Sequence, residues 1–178
     1  MSTEPLPQIL DIRKAVAREA SVSGVLSPSQ MPRFAALLAS EKGTVNARLQ
    51  FGRDDEDRDV VQVSVAADVE VTCQRCLGVM PLAVAGENAL ALVWSDEQAK
   101  HLPRHLDPLI VSGDSLNLWD VAEEELMLSL PQFNYHDEAD CNKFLVAYNA
   151  PAAEDSDADA QPNPFSVLAQ LKPGERQE

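Results

Sequence analysis

Residues 61–73 read VQVSVAADVEVTC, and this stretch decides the fold class of the chain. Every second residue from Val61 to Cys73 is apolar, whereas most of the residues between them are polar. Successive side chains of a β-strand point to opposite faces, so the alternation predicts a strand with one buried face and one solvated face.

The stretches on either side predict the neighbouring strands. Residues 45–51 alternate in the same way and are followed by a polar turn at 52–59. After the long strand, apolar residues recur in step over 82–94, with Gly86 expected at a bulge or bend. Short connections favour antiparallel pairing, so the three strands form a meander with residues 73–78 at a hairpin tip.

Two principal helices are predicted outside the meander. Ser27 and the residues after it resemble a capping box, which predicts an amphipathic helix from Pro28 to about Glu41. Asn117 caps a second helix, which ends at Pro131. Leucine and alanine recur at every fourth position of this second helix, which indicates one buried face.

The predicted fold class is α+β, a mainly antiparallel sheet with two principal helices packed against it. Shorter elements are a helix over 95–100 and a strand over 109–111. Residues 1–148 are expected to form one domain, and residues 149–161, rich in Ala, Asp and Glu, an acidic disordered linker. Residues 162–178 then form a C-terminal amphipathic motif and tail.

The excess of acidic residues indicates which class of partner the protein can bind. With 14 basic and 29 acidic residues, the net charge is -15, so the overall field repels a phosphate backbone and suits a basic partner. Unassembled ribosomal proteins are such partners, although solubility alone also explains an acidic surface. Since the sequence contains no long apolar run or export signal, we expect a cytoplasmic protein.

The three cysteines are the best candidates for metal ligands. Cys73 and Cys76 have the spacing with which two thiolates at a hairpin tip face one ion. His136 and Cys141 complete a tetrahedral set suited to zinc. The alternative is that Cys73 is a buried apolar residue and Cys76 only begins a turn. Redox chemistry is disfavoured because this CxxC joins two strands and does not begin a helix.

The sequence contains no recognisable catalytic motif. It lacks GxSxG, HExxH and a glycine-rich phosphate loop, and its seven glycines are scattered. Residues 123–125 are three consecutive glutamates on a helix, expected to face solvent or form salt bridges. His101 and His105 have helical spacing, but the intervening Pro103 argues against a shared metal.

Two further regions are candidates for binding a partner. Phe165, Leu168 and Leu171 recur at a spacing of three residues, so this segment either docks in a partner's groove or packs on its own domain. Arg75 and the basic group at residues 13–18 are either local contacts to RNA phosphate or ordinary surface charge.

Four separated segments carry a family resemblance: residues 71–77 (VTCQRCL), 96–99 (DEQA), 123–131 (EEELMLSLP) and 162–172 (PNPFSVLAQLK). Together they resemble the YceD family of large ribosomal RNA subunit accumulation proteins. The resemblance implies a non-enzymatic factor that supports synthesis, processing or stability of 23S ribosomal RNA. Relatives with additional cysteines near residues 136–141 fit a metal site there.

The implied partner is large-subunit ribosomal RNA precursor or a basic ribosomal protein. Two alternatives stay open: a metal-stabilised adapter for a ribosomal protein, and an RNA-processing enzyme in which the acids and His136 converge. The residues expected to contact a partner are Arg75, Asn163, Pro164, Phe165, Leu168 and Leu171.

Overall fold

The computed structural model describes residues 4–137 and Cys141, which form an α+β fold, as predicted. The predicted linker and C-terminal motif lie outside the described residues. The strands are β1 (Ile9–Asp11), β2 (Ser21–Leu26), β3 (Gly43–Arg53), β4 (Asp59–Thr72), β5 (Val79–Val93), β6 (Asp107–Ile110) and β7 (Ser115–Asn117). The helices are α1 (Ile12–Ala17), α2 (Pro32–Ala35), α3 (Asp96–Ala99) and α4 (Leu118–Ser129).

The main sheet has five strands in the order β2-β3-β4-β5-β6. Strands β2 to β5 are antiparallel, which confirms the meander, and β6 joins parallel to β5. Strand β2 was not predicted, because its residues SVSGVL alternate less regularly than those of β4. A separate two-stranded sheet pairs β1 with β7.

The core lies on one face of the sheet. The odd-numbered residues of β4 from Val61 to Val71 are buried, as are Leu49 of β3 and Leu126 of α4. Helices α1 and α4 pack over this face. The even-numbered residues of β4, such as Gln62 and Asp68, lie on the opposite face, where no described helix covers them.

The helix predicted from Pro28 to Glu41 is wrong in extent. The segment forms a 3-10 turn at Pro28–Gln30 and then the single helical turn α2. The cause is Pro32, because a residue before proline is driven out of the helical region, and Met31 has φ -127° and ψ 81°. The buried face that was predicted for this segment is present in part, because Met31 and Phe34 are fully buried.

Gly86 lies in regular β5 pairing opposite Val65, so the predicted bulge is wrong. A Cβ atom at Gly86 would lie 2.0 Å from Ser129 Oγ and 2.9 Å from Glu125 Oε1. Glycine is therefore required because the end of α4 packs directly on the strand.

The N-terminal residues cover the outer edge of β2. Val25 donates its N–H to the carbonyl of Glu4 at 2.9 Å, and the N–H of Leu6 donates to the carbonyl of Val25 at 3.2 Å. This short parallel bridge passes over Gly24, where a Cβ atom would lie 2.4 Å from the Leu6 nitrogen. The edge of β2 therefore has backbone partners where the bridge forms.

Candidate metal centre

The hairpin tip, residues 73–78, places two sulfur atoms at the end of β4. The N–H of Cys73 donates to the carbonyl of Gly78 at 2.8 Å, and the N–H of Leu77 donates to the carbonyl of Cys73 at 2.9 Å. These bonds close the tip, with Leu77 at a positive φ of 58°. Cys73 is buried and Cys76 is half-buried, so both thiols face the molecule.

A second segment, the strap, brings His136 to the tip. The strap comprises residues 131–137, which follow α4 in an extended course. The N–H of Gln74 donates to the carbonyl of Asn134 at 2.9 Å, which fixes the strap to the hairpin tip. His136 consequently lies beside Cys76, and Cys141, which follows shortly in the chain, is buried beside Cys73.

The four side chains form a compact donor set. Their ligand atoms all lie within 4.8 Å of one another. Cys73 Sγ and Cys141 Sγ are 3.6 Å apart, and Cys76 Sγ lies 3.3 Å from His136 Nδ1. In a zinc tetrahedron, Zn–S bonds of about 2.3 Å and Zn–N bonds of about 2.0 Å imply separations of roughly 3.8 Å and 3.5 Å. The set therefore has the chemistry and approximately the size that a tetrahedral ion requires.

The histidine ring is oriented for coordination through Nδ1. Its Nε2 lies 3.2 Å from the carbonyl oxygen of Val79, which accepts the Nε2 proton. This bond selects the tautomer in which Nδ1 carries the lone pair directed at the sulfur atoms. Such a carbonyl partner is the usual companion of a metal-binding histidine.

The backbone around the cluster favours ionisation of one thiol. Burial opposes a charge on Cys73, but the backbone N–H groups of Cys76, His136 and Arg75 face its sulfur, and the pKa of Cys73 falls to about 5. Burial raises the pKa of Cys141 to about 11, with further contributions from the neighbouring sulfur atoms of Cys73 and Cys76. The cluster thus combines a thiolate with a thiol that a bound cation would have to deprotonate.

Exposed aromatic and basic groups surround the cluster. The rings of Phe133 and Tyr135 stack with their centroids 6.4 Å apart, and the guanidinium of Arg75 lies 5.3 Å from the centre of the Tyr135 ring. Leu77 and Phe133 are 71% and 66% exposed, respectively. Arg75 forms no ion pair with any residue in the described part of the chain.

The structure thus brings together all four predicted ligands and places Arg75 beside them at the surface. The other predicted contact residues, Asn163, Pro164, Phe165, Leu168 and Leu171, lie outside the described residues. Sequence reasoning missed the carbonyl of Val79 and the aromatic residues of the strap. The alternation of Phe133 and Tyr135 after Pro131 was the available signal, since an extended segment places both on one side.

The consecutive glutamates of α4 have separate structural roles. Glu124 is exposed and pairs with Arg33 at 2.7 Å. Glu123 and Glu125 are buried, so the prediction of solvent-facing or salt-bridged acids is wrong for them. Glu123 Oε1 accepts the backbone N–H groups of Arg33 and Phe34 at 2.7 Å and 3.1 Å. This carboxylate caps α2, a position where burial is offset by hydrogen bonds.

The remaining basic groups and concavities carry no comparable chemistry. Arg13 pairs with Asp114 at 2.8 Å and Lys14 with Asp11 at 2.7 Å. A cavity of about 730 Å³ beside Trp94 is lined by arginines whose charges are already paired with local acids. Among residues 4–137 and Cys141, no helix has the length and apolar character needed to span a membrane.

Comparisons with known proteins give one consistent result. The model of the family described as "Large ribosomal RNA subunit accumulation protein YceD" matches residues 61–172, which include the entire cysteine and histidine cluster. A relative from Haemophilus influenzae, named large ribosomal RNA subunit accumulation protein YceD, is 27% identical over 173 residues, covering 97% of this chain and 99% of the relative. No solved structure matches the chain significantly.

Proposed function

The chain belongs to the YceD family, and from this membership we propose that it is a factor that supports accumulation of 23S ribosomal RNA, and hence biogenesis of the large ribosomal subunit. It acts in the cytoplasm, through binding and without catalysis, on the synthesis, processing or stability of that RNA. The family's description names no reaction.

One observation carries the proposal: the similarity to the Haemophilus influenzae protein extends along nearly the whole of both chains. A match confined to the CxxC hairpin would be shared by unrelated zinc-binding proteins. A match over 97% of this chain also includes the C-terminal segment, which the family model matches as far as residue 172.

The role of the metal centre is structural. Cys73, Cys76, His136 and Cys141 would hold one zinc ion, which would supply a fourfold link between the hairpin tip and the chain after α4. Four protein ligands leave no open coordination position, as expected of a structural site and not of a hydrolytic one. The zinc-linked surface carries Arg75 and the stacked aromatic rings.

The partner is either large-subunit ribosomal RNA precursor or a basic ribosomal protein. Arg75 would contribute a contact beside the metal centre, and Asn163, Pro164, Phe165, Leu168 and Leu171 a second contact from the C-terminal segment. Two separate contacts joined by a linker raise the effective affinity for a single partner.

The function is tested by deleting the gene and measuring the ratio of 23S to 16S ribosomal RNA together with subunit profiles. We expect a lower ratio and fewer mature large subunits, restored by the wild-type gene. An unchanged ratio and profile would reject the proposed function. Purified protein that cleaves precursor RNA, and loses that activity in His136→Asn, would instead identify an enzyme.

The metal centre is tested by measuring zinc in purified protein by mass spectrometry. We expect one equivalent in wild type, and loss of tight binding in His136→Asn. The matched control is His101→Asn, because His101 is an exposed histidine whose ring contacts only the carbonyl of Glu97, at 2.7 Å, among the described residues. Equal zinc content in the two variants would exclude His136 as a ligand.

The C-terminal contact is tested by recovering partners with the full chain and with a chain that lacks residues 162–172. Fewer large-subunit precursors on the shortened chain would support the second contact. An identical set of recovered partners would assign all binding to the rest of the protein.

A further inference from the structure

Strand β5 is paired along its whole inner edge but along only part of its outer edge. Its inner neighbour β4 pairs with it from Val79 to Ala91. Its outer neighbour β6 pairs only with Leu90–Val93. Between Val79 and Ala89, no strand in the described part of the chain lies along the outer edge.

Two contacts show which backbone groups of β5 point outward. The N–H of Ala89 donates to Asn88 Oδ1 at 2.8 Å, and the carbonyl of Val79 accepts from His136 Nε2 at 3.2 Å. Neither group therefore serves the β4 ladder. Because the direction of backbone groups alternates along an antiparallel strand, the odd-numbered residues of β5 direct both N–H and C=O outward.

Two further features agree with this alternation. The carbonyl of Val93 accepts the N–H of Val111 at 2.8 Å, on the side of β6. Pro81 is also odd-numbered, so its missing N–H costs no bond to β4. The outward N–H groups of Ala83, Ala85 and Glu87 have no hydrogen-bond partner among the described residues. They form a row of unused donors and acceptors, which is a template for one more strand.

The outer edge is accessible and partly apolar. Pro81, Ala83 and Ala85 are exposed. Leu128, in the part of α4 that packs over Gly86, is 70% exposed. The backbone of an added strand would complete the ladder beside the exposed residues of β5.

The charges around this edge select the class of strand. Asp68 and Glu70 of β4 lie opposite Ala83 and Pro81, Glu87 lies on β5 itself, and neither strand contains lysine or arginine. Sheet edges are commonly protected by lysine, which this edge lacks. The surrounding field therefore attracts a cationic peptide, whereas pairing with a second copy would bring together two chains of charge -15.

We propose that the outer edge of β5, residues 81–87, binds an extended basic polypeptide segment by β-strand addition. The assignment of this segment to a ribosomal protein rests on the proposed function. RNA has no peptide backbone to extend the ladder, so this site is specific to a protein partner. Main-chain hydrogen bonds supply the affinity, and the acidic elements favour lysine- or arginine-rich sequences.

The test uses the full chain and two synthetic peptides of equal length, one alternating lysine with valine and one alternating glutamate with valine. Amide hydrogen exchange is followed by NMR. We expect the lysine peptide to slow exchange at Ala83, Ala85 and Glu87 by about tenfold or more, and the glutamate peptide to have no effect. Protection elsewhere, or equal protection by both peptides, would overturn the proposal.

A matched pair of variants tests the backbone contact. The double variant Ala83→Pro and Ala85→Pro removes two outward N–H groups, as Pro81 already does at its own position, whereas Ala83→Val and Ala85→Val retains them. We expect the proline variant to bind the lysine peptide about 30-fold more weakly, and the valine variant to bind like wild type. Equal binding by both would reject strand addition. If the double variant is unfolded by circular dichroism, Ala85→Pro alone decides, with an expected loss of about tenfold.

Three further results distinguish failure of this proposal from failure of the proposed function. Protection of the same amides without peptide, rising with protein concentration together with a dimer in sedimentation, would assign the edge to a second copy. Normal growth and a normal 23S to 16S ratio with the proline variant, in cells that require the wild-type gene, would reject the ribosomal role of the edge but leave the proposed function intact. If the protein binds the lysine peptide but deletion of its gene leaves the 23S to 16S ratio unchanged, the proposed function is rejected instead.

Discussion

The two ends of β4 carry turns of similar length that are stabilised in opposite ways. The turn at residues 54–58 relies on its own side chains: Asp54 Oδ1 accepts the N–H of Arg58 at 2.9 Å, and the Arg58 guanidinium lies 2.6 Å from Asp54 Oδ2. The hairpin tip relies on His136 and Cys141, which are about 60 residues away in the chain. One turn is therefore locally determined, whereas the other depends on the rest of the fold and on the proposed metal.

The largest predicted effect comes from removing the contacts that the hairpin tip makes with His136 and Cys141. Cys73→Ser removes the buried sulfur that contacts both Cys141 and the N–H of His136. We expect metal affinity to fall by more than about 100-fold, and exchange protection to be lost at the tip and strap but not at residues 54–58. Zinc titration measures the metal affinity, and amide hydrogen exchange measures the protection. Uniform loss of protection over the whole sheet would contradict the separation of the two turns.

A chelator provides the control for this substitution. Removing metal from wild-type protein should reproduce the pattern of Cys73→Ser without any change in sequence. If the amides of the hairpin tip stay protected from exchange in the presence of chelator, the protein contacts alone stabilise the tip without metal.

The second effect acts on the strap through α4. Gly86→Ala places a Cβ atom against Ser129 Oγ and 3.1 Å from Ser129 Cβ, so the Ser129 hydroxyl must leave its bond to the Glu125 carbonyl or the end of α4 must shift, just before the strap begins. We expect a loss of about 1–3 kcal/mol in the free energy of unfolding and weaker metal binding, although no ligand is changed. Denaturant unfolding and zinc titration measure these quantities. Adding Ser129→Ala should recover part of both, and absence of any recovery would refute the steric cause.

The third effect compares one backbone angle in the two turns. Leu77 and Asp57 have φ values of 58° and 62°, a region that costs leucine more than aspartate. Leu77→Gly should stabilise the protein by about 1 kcal/mol, since Leu77 is 71% exposed and little packing is lost. Asp57→Gly should give no such gain. A loss of partner binding in a stabilised Leu77→Gly variant would show that the strained leucine serves recognition.

The smallest effect depends on pH. Hydrogen bonds from the Arg58 backbone and side chain hold the pKa of Asp54 below its ordinary value of 3.8. A carboxyl group with a lowered folded-state pKa contributes stability above its unfolded pKa and loses it as pH falls through the folded value. Asp54→Asn should therefore be less stable than wild type at pH 7, and the difference should shrink below about pH 4. A difference that persists at pH 2 would exclude the ionised carboxylate as its source.

The contrast between local and distant contacts also explains which features could be predicted from the sequence. Period-two alternation over residues 61–73 was sufficient to predict β4, because that pattern depends only on which side is buried. The hairpin tip and the four side chains that gather there were predicted as candidate ligands because thiol and imidazole groups at such spacing suit a metal ion.

Features that depend on packing were not predictable in this way. The shortened α2 is the exception, because its cause is local: Pro32 keeps Met31 out of the helical region. The burial of Glu123 follows from the packing of α2 against α4, which no nearby residue in the sequence reveals. Gly86 is required by a helix more than 30 residues away, so its local sequence suggested only a bulge.

The N-terminal bridge over β2 has a consequence for assembly. Because residues 4–6 already pair with Val25, the main sheet presents an unpaired stretch on β5 but a covered one at its opposite margin. A sheet with both margins open can join copies head to tail without limit and grow into fibres. The bridge at Val25 obstructs this stretch of the β2 margin, so a second copy cannot pair it with β5, which disfavours head-to-tail growth of the sheet through copies of this chain.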